Sequence, residues 1–138
     1  MRNRFGSSAT ILALFLSLTT PGVADDLPEI LALLRASRAK LLILVDSQNP
    51  GQKTGVIDDL TLSQQEIDYR VSNLLDNRAT PPATRERLER FKDIWEPFKN
   101  TRMGEIIPAV LAGDRAKAQS LGKGIQADRY QRMVQILR

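Results

Sequence analysis

Apolar residues at helical spacing recur in four stretches of this chain, each bounded by proline, glycine or asparagine, and no other feature limits the fold as strongly. In the first stretch Leu27, Ile30, Leu34, Leu41 and Leu44 advance in steps that keep one face of a helix apolar. The spacing predicts a helix from Leu27 to Gln48, with Pro28 tolerated in its first turn and Asn49-Pro50-Gly51 as its stop. One position on that seam is polar, Ser37, and Arg38 flanks it.

The second stretch predicts a helix over Leu62 to Asn77, with Ile67, Val71 and Leu74 as its seam. Thr61 and Gln64 stand at the spacing of a capping box, in which each side chain satisfies the other's free backbone N–H. Asp58 or Asp59 could instead cap a slightly longer helix. The prolines of NRATPPAT close the segment, because a residue before proline is pushed out of the helical region.

The third runs from Thr84 to Ala112 and carries Leu88, Phe91, Trp95 and Phe98. Pro97 lacks an N–H and its ring clashes with the carbonyl of residue 93, a cost of about 3 kcal/mol inside a helix. Beyond it the stripe would reach Arg102, whereas the next apolar residues are Met103, Ile106, Ile107 and Val110. The seam is therefore expected to slip by a residue, with the helix kinked near Pro97 and Pro108 and loosened at Gly104.

Gly113 and Asp114 supply a left-handed stop and the next cap. The fourth segment then carries Ala118, Leu121, Ile125, Met133 and Ile136, weakened by Gly122 and Gly124 and interrupted by Asp128, Arg129 and Arg132. Nothing alternates as a half-buried strand does. The expected fold is all-α, an up-down-up-down antiparallel four-helix bundle with both termini at one end.

The 138 residues suffice for one domain, placed here at 25–138. Residues 1–24 read as a signal peptide: Arg2 and Arg4, the apolar run Ala9–Leu18, then small residues ending at Ala24. An uncleaved anchor is the alternative, and only then would the protein be held at a membrane. The expected location is periplasmic or secreted. Loss of Arg2 and Arg4 lowers the formal charge from +4 to +2, too small an excess to argue for nucleic acid. The chain has neither Cys nor His, which removes thiolate chemistry, His-based triads and the usual zinc sites. No cofactor, metal or enzymatic activity is expected. Met103 and Met133 are too few for copper handling.

Counting along the helices places Ser37, Arg38, Arg102 and Gln126 to Arg129 in one band, roughly 15–21 Å from the end that holds the first and third turns. Arg38, Arg102 and Arg129 could converge with Ser37 on an anionic ligand, where planar guanidinium suits carboxylate. Alternatively their heads extend into water and pair with Asp128 or Glu105. Gln64 is left outside the layer because the capping box accounts for it. Trp95 and Phe98 are expected to fill the core beside Pro97.

The stretch SQQEIDYRVSNLLDNRATPPATRERLERFKDIWEPFKNTR, from Ser63, resembles the second and third helices of periplasmic four-helix-bundle sensory domains of methyl-accepting chemotaxis receptors, including the N-terminal type of type IV pilus transducers. Those domains carry a Leu-rich second helix, a Pro-containing turn and then a helix with an aromatic step such as Trp95-Glu96-Pro97-Phe98. LAGDRAKAQSLGKGIQADRYQRMVQIL is similar to their final turn and fourth helix, and LLRASRAKLLIL more loosely to their Arg/Ser-rich first helix. The spacing of Arg35 and Arg38 departs from the pilus type. With no relay module after Arg138, the resemblance implies a free-standing sensory-type bundle that binds a small anion or an envelope protein, with a homodimer through helix faces as an option. Leu60-Thr61-x-x-Gln64 also resembles the LTxxQ motif of small periplasmic stress chaperones, which implies an alternative: a chaperone-like or structural binding module.

Overall fold

The computed structural model describes residues 26–138, so the signal-peptide or anchor expectation for residues 1–24 lies outside the described residues. The described residues are helical throughout, with no strand. The elements are α1 (Asp26–Asp46), α2 (Pro50–Asp76), α3 (Pro82–Thr101), a π segment (Arg102–Ile106), α4 (Ile107–Leu111), α5 (Arg115–Lys123) and α6 (Ile125–Leu137). They compose four helical units. The third is α3, the π segment and α4 in one run, and the fourth is α5 and α6 separated at Gly124.

α1 follows its predicted seam, burying Leu27, Ile30, Leu34, Ser37, Leu41 and Leu44, with Leu31 and Val45 added. α2 corrects the prediction. It starts at Pro50, not Leu62, because Asn49 acts as N-cap and its side chain accepts from the N–H groups of Gly51 and Gln52. Asn-Pro-Gly therefore opens the helix as well as ending α1, with proline at a first-turn position that needs no donor. Thr61 is an interior residue whose hydroxyl donates to the Ile57 carbonyl at 3.0 Å, so Thr61 and Gln64 form no capping box. The added turns are polar, and only Val56, Ile57 and Leu60 tie them to the core.

The ends of α2 and α6 show how this chain uses its arginines. Arg85 donates to the carbonyls of Leu75 and Asn77, and the buried Thr80 hydroxyl to that of Leu74 at 2.6 Å. Arg87 donates to those of Ile136 and Arg138. The last carbonyls of a helix have no intrahelical partner, and a cation there also complements the helix dipole.

Pro97 lies within the continuous α-helix Pro82–Thr101. The departure from α geometry comes after it, at Arg102–Ile106, where the Ile107 N–H reaches back to the Arg102 carbonyl. The buried residues Phe98, Arg102, Ile106 and Val110 succeed one another in steps of four. Such steps drift off one face of an α-helix of 3.6 residues per turn. The wider π turn absorbs the drift. Arg102 accordingly keeps the stripe, and Met103, expected on the seam, is 41% exposed.

Gly113 takes φ 76° at the last turn, a conformation open to glycine, and Asp114 caps α5 by accepting from the Lys117 N–H. A Cβ at Gly124 would lie 2.6 Å from the Ser120 carbonyl oxygen, which explains a glycine where α5 gives way to α6. That break re-phases the fourth unit: Ile125, expected on the seam, is exposed, while Gln126, Met133, Val134 and Leu137 are buried. One core joins all four units, centred on Phe91, Trp95 and Phe98, whose rings stack at 5.8 and 5.7 Å.

Candidate functional site

Arg102 is fully buried (0% exposed) and is, after Trp95, the largest side chain so enclosed. The π segment turns it inward, between the Trp95 and Phe98 rings on one side and α1 and α2 on the other. Its guanidinium carbon lies 5.6 and 5.7 Å from the two ring centroids. Nη1 donates to the Ser37 hydroxyl at 2.9 Å, and Nη2 to Oε1 of Gln64 at 2.6 Å. Nε is buried with no partner. Burial pulls the Arg102 guanidinium down to about 10, with Asp68 opposing at longer range, so the group is charged at neutral pH. An uncompensated charge in such a place is costly, and neutral oxygens and ring faces relieve only part of the cost.

α6 supplies the other half of the layer. Gln126, fully buried, donates from Nε2 to the Phe98 carbonyl at 2.9 Å. Arg129 Nη1 donates to the Pro97 carbonyl (3.2 Å), the Thr101 hydroxyl (2.8 Å) and Oε1 of Gln126 (3.1 Å). These donors meet backbone oxygens of α3 in the turn that runs into the π segment. Replacing Gln126 by leucine leaves the Phe98 carbonyl buried without its side-chain donor and removes one acceptor from Arg129. A loss of about 1–3 kcal/mol is expected, measured by thermal denaturation; an unchanged melting temperature would show that the contact carries no weight.

Arg38 sits at the edge of the layer. It donates to the Gly122 carbonyl at 2.6 Å and lies 5.8 Å from the Tyr130 ring centroid. Burial lowers its pKa, with Tyr130 opposing. Of the four residues proposed from the sequence, Ser37 thus meets Arg102 directly, whereas Arg129 bonds to Pro97, Thr101 and Gln126 with no hydrogen bond linking it to Arg102 among the described residues, and Arg38 is tied to α5. None of the three arginines forms an ion pair among the described residues. The expected pairing with Asp128 or Glu105 is absent among them, and Arg102 does not reach water.

Gln64, which the capping-box expectation set apart, belongs to the layer. Leu60, Gln64, Ile67, Val71 and Leu74 succeed one another at helical spacing, so a polar residue on an apolar seam was the available signal. Asp68 had no such signal. It accepts from Trp95 Nε1 at 2.6 Å and from Lys99 Nζ at 2.9 Å. Burial would lower the Lys99 ammonium, but Asp68 and Glu96 hold it above its ordinary range. Trp95 is 1% exposed, a core residue as expected.

Among the described residues no group of acidic side chains is placed to hold a metal ion, and no helix is long and apolar enough to cross a membrane. No protein-family model matches the chain, and no curated protein or solved structure matches it.

Proposed function

We propose that this chain is an exported, non-enzymatic four-helix bundle of sensory type that takes a small anion at its arginine layer. In this reading its helices run up-down-up-down and antiparallel, with the third unit bent between Pro97 and Pro108. Pairing of Glu29, near the start of α1, with Arg70, near the end of α2, supports that order, as does Lys40 with Asp59 at 3.2 Å.

The observation that carries the reading is electrostatic. Arg38, Arg102 and Arg129 all bond to neutral oxygens, while the protein's seven ion pairs among the described residues lie elsewhere. Three guanidiniums without an ion-paired carboxylate, with Asp68 acting on Arg102 only at longer range, give the layer a positive excess, whose attraction for an anion is strengthened by the low dielectric around Arg102. Arg129 opens it to solvent: Nε and Nη2 have no partner among the described residues, and the side chain lines a cleft of about 350 Å³ with Pro97, Ile125 and Arg132, and with Asp93 and Asp128.

Thermal denaturation with acetate, nitrate and glutamate, at constant ionic strength, tests this. At a hundred times its dissociation constant a ligand adds about 2.7 kcal/mol, which in a domain of this size raises the melting temperature by roughly 10 °C. Arg129→Gln is expected to abolish the rise. A flat response to every anion would contradict the reading.

The second reading, a chaperone-like or structural module, has one observation in its favour. Leu62 and Tyr69, seven residues apart on α2, are 63% and 64% exposed. Suppression of an unfolded client's aggregation, lost in Leu62→Ser with Tyr69→Ser, would favour it.

A further inference from the structure

α3 and α6 pack side by side, and the groove between them collects arginines. One part, about 490 Å³, is lined by residues that include Arg87, Arg90, Asp93 and Arg132. A second part shares Asp93, Ile94 and Arg132 and adds Arg129 and Asp128, so the two adjoin. The guanidiniums differ in what holds them. Arg87 is engaged by the α6 carbonyls, and Arg129 by the layer through Nη1. Arg90 and Arg132 make neither a hydrogen bond nor an ion pair among the described residues. Yet Asp93 is three residues from Arg90 and Asp128 is four from Arg132, spacings at which helical ion pairs form readily. Two cations thus line one groove from opposite walls, and neither is ion-paired among the described residues to Asp93 or Asp128, which line the groove with them.

We propose that this groove binds a phosphate-type dianion, gripped by Arg90 from α3 and Arg132 from α6. A guanidinium offers a planar fork of donors that fits two oxygens of one acceptor. A single carboxylate has two oxygens and one charge, and one fork uses it up. A phosphate monoester carries three terminal oxygens and nearly two charges, enough for forks from both walls. Ile94 and Ile136 give the groove an apolar lining for the group esterified to the phosphate. The volume lies in the range of small-molecule sites, roughly 300–1,000 Å³. The inference rests on the anion-binding reading for the sign of the ligand only, since Arg90 and Arg132 lie outside the layer.

Titration calorimetry of the full chain with inorganic phosphate, phenyl phosphate and succinate, at low ionic strength, tests it. Phosphate is expected to bind, and phenyl phosphate more tightly. Arg90→Gln and Arg132→Gln, both at exposed positions, should each weaken binding by about tenfold to a hundredfold with unchanged melting temperature. Absence of phosphate binding, equal affinity for succinate, or full affinity in both variants would overturn the proposal. If phosphate fails while nitrate still raises the melting temperature through Arg129, the groove is wrong and the layer stands. If phosphate binds through Arg90 and Arg132 and no anion responds to Arg129→Gln, the groove stands without the layer.

Discussion

Trp95→Ala is expected to lower the unfolding free energy by about 3–5 kcal/mol, the range for deleting a large aromatic from a core. Trp95 lies between Phe91 and Phe98 in a continuous stack, so its removal empties the centre of the third helical unit. It also takes one face from the two cations beside it, Arg102 and Lys99 at 5.6 and 5.8 Å. Trp95→Phe keeps one aromatic ring but loses the pyrrole ring with its N–H, while Asp68 keeps its bond to Lys99. A loss above that of a lone hydrogen bond, about 1 kcal/mol, and below that of the alanine variant is expected. Urea denaturation monitored by far-UV circular dichroism measures both, since the chain's only tryptophan is the residue being changed. A loss below about 1 kcal/mol in the alanine variant would be at odds with a core position.

Arg102→Ala and Arg102→Met are expected to diverge. Alanine leaves a cavity beside Trp95 and Phe98, and by analogy with large-to-small core changes the cost is about 3–5 kcal/mol. Methionine keeps much of the volume and removes the buried charge. Because burial sets the Arg102 pKa to about 10, below that of the unfolded chain, the unfolded state binds the proton more tightly. The penalty is thus fully present at neutral pH and is relieved only as pH rises through about 10. Replacing a buried charge by an apolar residue of similar size is often neutral or stabilising. Against this, Ser37 and Gln64 lose a donor, but Gln64 is only half-buried and a helical serine can bond its own preceding turn. Arg102→Met is therefore expected within about 1 kcal/mol of the wild type.

The seams of α1 and of α3 through Phe98 were legible because apolar spacing alone decides which face of a helix is buried. The polar layer was legible for the same reason, as breaks in those seams at Ser37 and Arg102. Two kinds of feature were not. The first half of α2 carries little apolar signal, and its start depends on a side-chain cap at Asn49 that also reads as a stop for α1. The π geometry at Arg102–Ile106 was anticipated only as a loosening at Gly104; nothing local specified its form, or that Gln126 and Arg129 would hold carbonyls of α3 in the turn before it. The proline at 97 drew attention to the right region, but the irregularity lies one turn further on.

Fourth-unit register illustrates the same limit. Ile125 and Ile136 looked like seam residues when the helix was taken as unbroken. The interruption at Gly124 rotates α6 relative to α5, so Gln126 enters the core and Ile125 leaves it. The clash a Cβ at Gly124 would make with the Ser120 carbonyl, four residues back, is a local backbone fact; the sequence marked Gly122 and Gly124 as weak points but not the change of register that follows.

As proposed, the arginine layer serves an anion and is not required to hold the bundle together. Urea denaturation of Arg102→Met beside the wild type, with and without nitrate at constant ionic strength, tests it most directly. Equal stability without nitrate, to within about 1 kcal/mol, and a rise with nitrate in the wild type alone are expected. A methionine variant destabilised by about 3 kcal/mol or more, or one that responds to nitrate as the wild type does, would contradict it.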